Sequence, residues 1–401
     1  MVELLERDTP MRIAFYAWES LHSIPVGGVA VHVTELAAAL QRRGHEIHVF
    51  TRLGEGQSTY QWIDGVHYHR CPIDLHPDFV TEMNNMCNSF AYFTKQTESF
   101  QGTHFDVVHG HDWLCAKGIV QLKNNYGRRA LLTIHSTEYG RCGNHHFNGQ
   151  SDRVRAVEAE GIYCADRVIA VSGALSDEVK RQYSVPDWKL RCVRNGINCS
   201  RFDGYIDPAV CRASYGIGPM DPMVLFVGRL TIQKGPDLLL EAVPGVLAQY
   251  PHAKVVFVGD GYMRGDLERR ANELGVRHAV RFLGNMSANS DLTNLYKSTD
   301  VVCVPSRNEP FGIVVLEAWA AGKPVVVTRN GGPAEVVVHN QEGFVAHDNC
   351  GSICWALKEI FSNFLHARWM GERGRVKAAY GFTWDIAAAQ TEGIYGELVC
   401  T

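Results

Sequence analysis

Short runs rich in valine and isoleucine alternate with longer stretches of helical period, and the whole series occurs twice. "MRIAFYAW" (Met11–Trp18) reads as a strand, followed by a glycine pair and a helix near "VAVHVTELAAALQRRG". "HEIHVFTR", "FDVVHGHD", "ALLTIHS" and "DRVIAVSG" continue as strands, with helices or loops between them. The series restarts at "MVLFVGRL" (Met223–Leu230) and runs through "AKVVFVGDG", "AVRFLGN", "DVVCVPS" and "KPVVVTR". Strands that are apolar throughout are buried on both faces, which points to parallel sheets covered by helices. The stretch from about Arg194 to Pro222 has glycine, proline and weak periodicity and reads as a linker. The expectation is an α/β protein of two doubly wound, Rossmann-like halves. Ligands on such sheets sit at the carboxyl ends of the strands, so a cleft between the halves is the expected site. The length agrees, since 401 residues exceed one ordinary core.

Composition removes several classes. A net charge of −4 leaves no basic excess for nucleic acid or an anionic membrane. No apolar run is long enough to span a bilayer. "MVELLERDTP" is acidic, lacks the basic and apolar regions of a signal peptide, and reads as a loose leader. The twelve cysteines include no C-x-x-C pair and read as small buried side chains in a reducing cytoplasm.

The chemistry-bearing residues cluster where strands end. In "SIPVGGVAVH", Gly27 and Gly28 let the backbone turn and approach a ligand closely, just before a helix N-terminus that favours anions. In "FVGRLTIQKG", Arg229 and Lys234 follow a buried strand, a guanidinium fork and a point charge suited to a diphosphate. Taken alone, this stretch would read as a pair of solvated surface charges. "VPSRNEPFGIVVLEAWAAGKPVVVT" carries Glu309 and Glu317 with seven residues between them, among Phe311, Ile313, Val314, Val315 and Leu316. A carboxylate in that setting needs a partner. "VVHGHDW" and "LLTIHSTEYG" put His109, His111, Asp112 and His135 on the cleft rim. "RCGNHH" (Arg141–His146) lacks zinc spacing and reads as a polar loop. No Asp-x-Asp occurs, and the GxG of "VVFVGDGYMRG" does not extend to a dinucleotide fingerprint.

Taken together, Arg229 with Lys234, the E-x7-E of "EPFGIVVLE", "EAWAAGKPVV" and the "GG" before Glu335 resemble retaining glycosyltransferases of family 4. The resemblance covers nearly the whole chain. "WESLHSIPVGG", "HGHDW" and "TIHSTEYGR" look most like the short prokaryotic glycogen synthase branch. It implies the GT-B fold, with an acceptor-side unit over residues 1–205, a donor-binding unit over 206–384, and a last helix, about 385–401, packing back on the first. It also implies roles. Glu309 would accept bonds from the donor sugar's hydroxyls, and Glu317 would hold the ribose. Arg229 and Lys234 would bind the diphosphate. His135 would lie by the anomeric carbon and Gly28 against the diphosphate. Phe311, Gly312 and Ile313 would offer backbone amides. Glu19, His111, Asp112 and Arg141 would line the acceptor side. No metal or other cofactor is implied.

Two departures stand out: Asn198 in "NGIN" where the family often has an acid, and Phe311 where glycogen synthases often carry cysteine. The implied activity is transfer of a hexosyl unit, foremost glucose, from a nucleotide diphosphate sugar to a carbohydrate acceptor, with glucan synthesis as the leading reading. Synthesis of sucrose, trehalose, maltose phosphate or an envelope glycoside is the main competitor, and a silent glycan-binding protein is the one from another class. The donor base, the acceptor and the oligomeric state stay open at this level.

Overall fold

The computed structural model describes residues 10–286 and 290–400; the acidic leader, up to residue 9, lies outside them. Eight strands form the first sheet: β1 (Arg12–Tyr16), β2 (Glu46–Arg52), β3 (Tyr60–Ile63), β4 (Val66–Cys71), β5 (Val107–His111), β6 (Arg129–Ile134), β7 (Arg167–Ala170) and β8 (Leu190–Cys192). Six form the second: β9 (Met223–Val227), β10 (Lys254–Val258), β11 (Val280–Phe282), β12 (Val301–Val304), β13 (Val325–Thr328) and β14 (Gly343–Ala346). The orders are β3-β4-β2-β1-β5-β6-β7-β8 and β11-β10-β9-β12-β13-β14. Every neighbouring pair is parallel except the hairpin β3–β4.

These orders position the site. In the first sheet the direction of winding reverses between β1 and β5, paired from Ile13↔Val107 to Tyr16↔Gly110. In the second it reverses between β9 and β12, paired at Val301↔Val224 and Val302↔Leu225. At such a point the loops leaving two adjacent strands part to opposite faces and open a crevice. The glycine-pair loop leaves β1 and Asp112 follows β5, whereas Arg229 and Lys234 follow β9 and Glu309 follows β12.

Burial explains the layers. Helix Gly28–Arg42 turns Val33, Leu36, Ala37 and Leu40 inward at helical spacing. They meet Phe15, Val49, Tyr395 and Leu398 in one core, so the last helix, Trp384–Val399, packs on the first half. The opposite face of the first sheet holds Tyr16, Met86, Phe90 and Leu132, and its cluster continues into the second half through Leu225, Leu316 and Trp319. Phe226, Leu239, Phe257, Ile360 and Met370 fill the far face of the second sheet. The linker contains a turn, Cys199–Phe202, and a short helix, Pro208–Ala213. Asn198 caps that turn: its amide oxygen accepts from the Ser200 N–H at 3.2 Å and hydroxyl at 2.7 Å. A neutral amide therefore suffices where the family often has an acid. No described helix is long and apolar enough to cross a membrane.

Candidate active site

Lys234 and Glu309 meet across the reversal of the second sheet. The Lys234 ammonium donates to both Glu309 oxygens at 2.8 Å, and the Ser306 hydroxyl donates to one of them at 3.0 Å. The carboxylate is buried, so this pairing answers its desolvation. It still has lone pairs to offer, and the ammonium has a third N–H. Among the described residues, the Arg229 guanidinium reaches only the Gln233 amide oxygen, at 3.2 Å. No described carboxylate lies within 4 Å of it. Desolvation, then the nearby charge of Arg141, pull its pKa below the ordinary arginine value. The corner therefore holds positive charge that nothing nearby fully neutralises.

Helix Ile313–Ala320 starts at the same corner, after Gly312 at φ 87°. A side chain at Gly312 would face both that left-handed backbone and Pro333 Cγ at 2.9 Å. Its N-terminal amides add further positive potential. Gly28 stands opposite; a methyl there would lie 3.5 Å from Ile313 Cδ1. The second glycine pair has a steric reason too. A Cβ on Gly331 would sit 2.1 Å from the Glu309 carbonyl oxygen, to which the Gly332 N–H donates at 2.8 Å.

Glu317 lies one helical turn further and has a different partner. The Tyr296 hydroxyl donates to it at 2.6 Å, and burial raises its pKa above the usual carboxylate range. The E-x7-E spacing thus delivers two buried acids to one loop and helix, each in its own environment.

On the first half, Glu19 accepts from the Val26 and Gly27 N–H groups at 2.7 and 2.6 Å, so it shapes the glycine loop. Asp112, at φ 61° and ψ 173°, occupies a backbone region that side chains rarely enter. Its carboxylate receives the His135 N–H at 2.7 Å and the Ser136 N–H at 3.3 Å, fixing the segment after β6. His135 contacts His111, Nε2 to Nδ1, at 3.3 Å. Burial pushes the half-buried His135 down to about 3, and His111 well below its ordinary value, so both are neutral imidazoles at pH 7. Arg141 is engaged by Glu158 at 2.8 Å, Glu138 at 3.1 Å and the Ser136 carbonyl at 2.6 Å.

The structure also brings in residues that the motifs did not single out. Asn308 donates to Glu178 at 2.7 Å and to Asn144 at 2.8 Å, both on the first half. Asn144 donates to the Arg307 carbonyl at 3.2 Å, and the Ser172 hydroxyl donates to the Pro310 carbonyl. Gln233 reaches Ser136 at 3.3 Å. Glu335 receives the Gly173 N–H at 3.1 Å. The residues flanking Glu309 on both sides are therefore held by the other half. A cavity of about 310 Å³ lies beside this clasp, lined by Tyr139, Glu178, Arg181 and Asp348 among others; Arg229, Lys234 and His135 do not line it.

Two family models match the chain: "Glycosyltransferase Family 4" over residues 26–201 and "Glycosyl transferases group 1" over residues 210–377. An uncharacterized glycosyltransferase of Methanocaldococcus jannaschii is 38% identical over 389 residues, covering 96% of this chain and 98% of that protein. A glycogen synthase of Mycobacterium tuberculosis is 29% identical over 96% of this chain and 94% of its own. Among solved structures, sucrose-phosphate synthase of Thermosynechococcus elongatus superposes with a TM-score of 0.81 at 24% identity, covering 97% of this chain and 99% of that one. Anabaena HepE in complex with UDP-glucose does so with 0.76 at 19%, covering 97% and 100%. Two parallel-sheet halves, a cationic corner facing a glycine loop, and a relative at 38% identity over almost the full length agree: the chain belongs to glycosyltransferase family 4 and has the GT-B fold.

Proposed function

We propose that this protein transfers a glucosyl unit from a nucleotide diphosphate sugar to an acceptor hydroxyl with retention of anomeric configuration, and that the acceptor is an α-1,4-glucan. The observation that carries the reading is the pairing of Lys234 with Glu309 beside an Arg229 that has no carboxylate partner. Two cations and a helix N-terminus suit a diphosphate, and an adjacent buried carboxylate suits the hydroxyls of the sugar it carries. The HepE complex, with UDP-glucose, supports the donor class, and the glycogen synthase relative supports the acceptor.

In this reading the donor diphosphate lies between Arg229, Lys234 and the Gly312–Ile313 amides, with Gly28 closing over it. Charge on the leaving diphosphate grows as the glycosidic bond breaks, and these groups are already aimed there. Glu309 holds the sugar, and Glu317 the ribose. The Asp112 carboxylate lies against the segment that carries His135, but its Oδ1 is occupied by the His135 and Ser136 backbone N–H groups, so it is poorly placed as a nucleophile. We therefore favour departure and attack on the same face, with the diphosphate assisting deprotonation of the acceptor. Because the cationic corner neutralises the diphosphate, transfer needs no metal ion.

Phe311, where glycogen synthases often have cysteine, favours a second reading: the same donor chemistry with a small sugar or sugar phosphate as acceptor. A panel of nucleotide sugars, tested for nucleoside diphosphate release with glycogen, maltose, fructose phosphate or no acceptor, separates the two. Release with glycogen and maltose, undiminished by a strong chelator, is the expected result. Release only with fructose phosphate would replace the glucan reading with the second one.

A further inference from the structure

We propose that His32, His111 and His135 form a binding site for a zinc-class divalent cation, and that filling it takes His135 away from the transfer site. The three residues come from helix Gly28–Arg42, the end of β5 and the segment after β6, and only the fold brings them together. One donor nitrogen from each lies within 4.8 Å of those of the other two. His111 Nδ1 and His135 Nε2 are 3.3 Å apart. Two nitrogens at the usual zinc–imidazole distance from a tetrahedral ion stand about 3.3 Å apart.

The strongest sign is at His32. Its Nδ1 is 2.7 Å from the Asn195 amide oxygen, in a buried contact that fixes the ring. An N–H directed to that oxygen leaves a lone pair on Nε2, and Nε2 is buried with no hydrogen-bond partner among the described residues. Buried polar atoms are rarely left so. A histidine held through one nitrogen by a carbonyl, with the other free, is the common arrangement of a metal ligand. His111 would bind through Nδ1, which leaves its buried Nε2–H without a partner among the described residues. His109, stacked on His111, is excluded, because Tyr395 and Thr133 occupy both its nitrogens. Three imidazoles select zinc, cobalt, nickel or copper over magnesium or calcium. His135 is only half-buried, so its ring is the partly exposed member of the three.

A second group, Glu46, His48 and His67, lies at the other side of the first sheet. Glu46 is paired with Arg12 at 3.1 Å, and the nitrogens of His48 are taken by His69 and Glu46. It serves as the control.

The test uses the full chain, stripped with a chelator and titrated with cobalt(II) by visible absorption and with zinc by calorimetry. One ion should bind, with the visible band of a tetrahedral or five-coordinate cobalt site. His32→Gln and His135→Gln should each weaken binding at least tenfold, Asn195→Ala by about ten- to a hundredfold, and His48→Gln not at all. His135 is half-buried, so its variant keeps the test decisive if His32→Gln does not fold. No binding, or equal loss in His48→Gln, overturns the site. The inhibition, unlike the binding, rests on the role given to His135 above. Zinc should suppress transfer with the half-saturation seen in calorimetry; binding without suppression overturns the inhibitory role and leaves the site standing.

Discussion

Replacing Lys234 by alanine removes one cation from two tasks, and the structure separates them. The ammonium holds the buried Glu309 carboxylate through two 2.8 Å contacts. After the change only Ser306 bonds that carboxylate. Leaving a buried charged acceptor short of partners costs about 1–3 kcal/mol, toward the lower end here because the Lys234 side chain is 22% exposed. For about 1 kcal/mol, the melting temperature should fall by roughly 2–4 °C. Turnover should fall further, by about 10²–10³, since the cation acts on charge that develops as the diphosphate leaves. Adding Glu309→Gln distinguishes the tasks. Without charge the orphaned group is cheaper to bury, so the double variant should recover most of the melting temperature and none of the turnover. Thermal melts and steady-state kinetics with saturating donor read both quantities. Recovery of turnover with stability would show that Lys234 acts only by supporting the fold, and a change confined to the apparent affinity for acceptor would remove it from the diphosphate site.

Three further outcomes are expected. Glu309→Gln should cut turnover about a hundredfold, as small misplacements of a reacting centre do, while leaving affinity for free nucleoside diphosphate nearly intact; Glu317→Gln should weaken that affinity, and equal weakening by both in calorimetry would end the division of labour. Asn308→Ala removes two bonds across the halves, one of them to a carboxylate; turnover should drop about tenfold, with donor KM rising, if those bonds hold the Glu309 loop at about 1.4 kcal/mol of coupling, and unchanged kinetics would show the clasp to be incidental. Burial, and then His48, push His69 down to about 3, and burial pushes His48 down to about 4. The folded state binds fewer protons at these rings than the unfolded one between about pH 4 and 6.5, so stability rises with pH in that window and is lost on acidification; the melting temperature should fall from pH 7 to 5, less steeply in His69→Phe, and an identical slope in both would exclude this source.

Much of this was legible because the informative residues sit next to strand ends in sequence as well as in space. Buried strands such as β9 and β12 are continuous apolar runs, and the loop after each carries its own candidate site residues, Arg229 with Lys234 and Glu309. The hairpin β3–β4 escaped that pattern: Tyr60, Gln61 and Trp62 are exposed, so no apolar run marks β3. Its turn was written plainly, as Asp64-Gly65, both at positive φ. β8, Leu190–Cys192, has Arg191 at its centre and so no apolar run to mark it. Side-chain partners were the least visible. Nothing near Glu317 points to Tyr296, on a separate helix, and His32 looks like any residue on the buried face of an amphipathic helix. Arg141 has the sequence of a free loop cation, yet three acids from Asp112 to Glu158 surround it.

The stereochemistry of the product tests the central claim most directly. Incubation of the purified protein with an α-linked nucleotide diphosphate glucose and maltose, followed by proton NMR of the new glycosidic linkage during the reaction, reads the anomer as it forms. The account predicts an α-glucoside appearing in step with nucleoside diphosphate. A β-glucoside would contradict retention, and release of nucleoside diphosphate with free glucose as the only sugar product would contradict transfer itself.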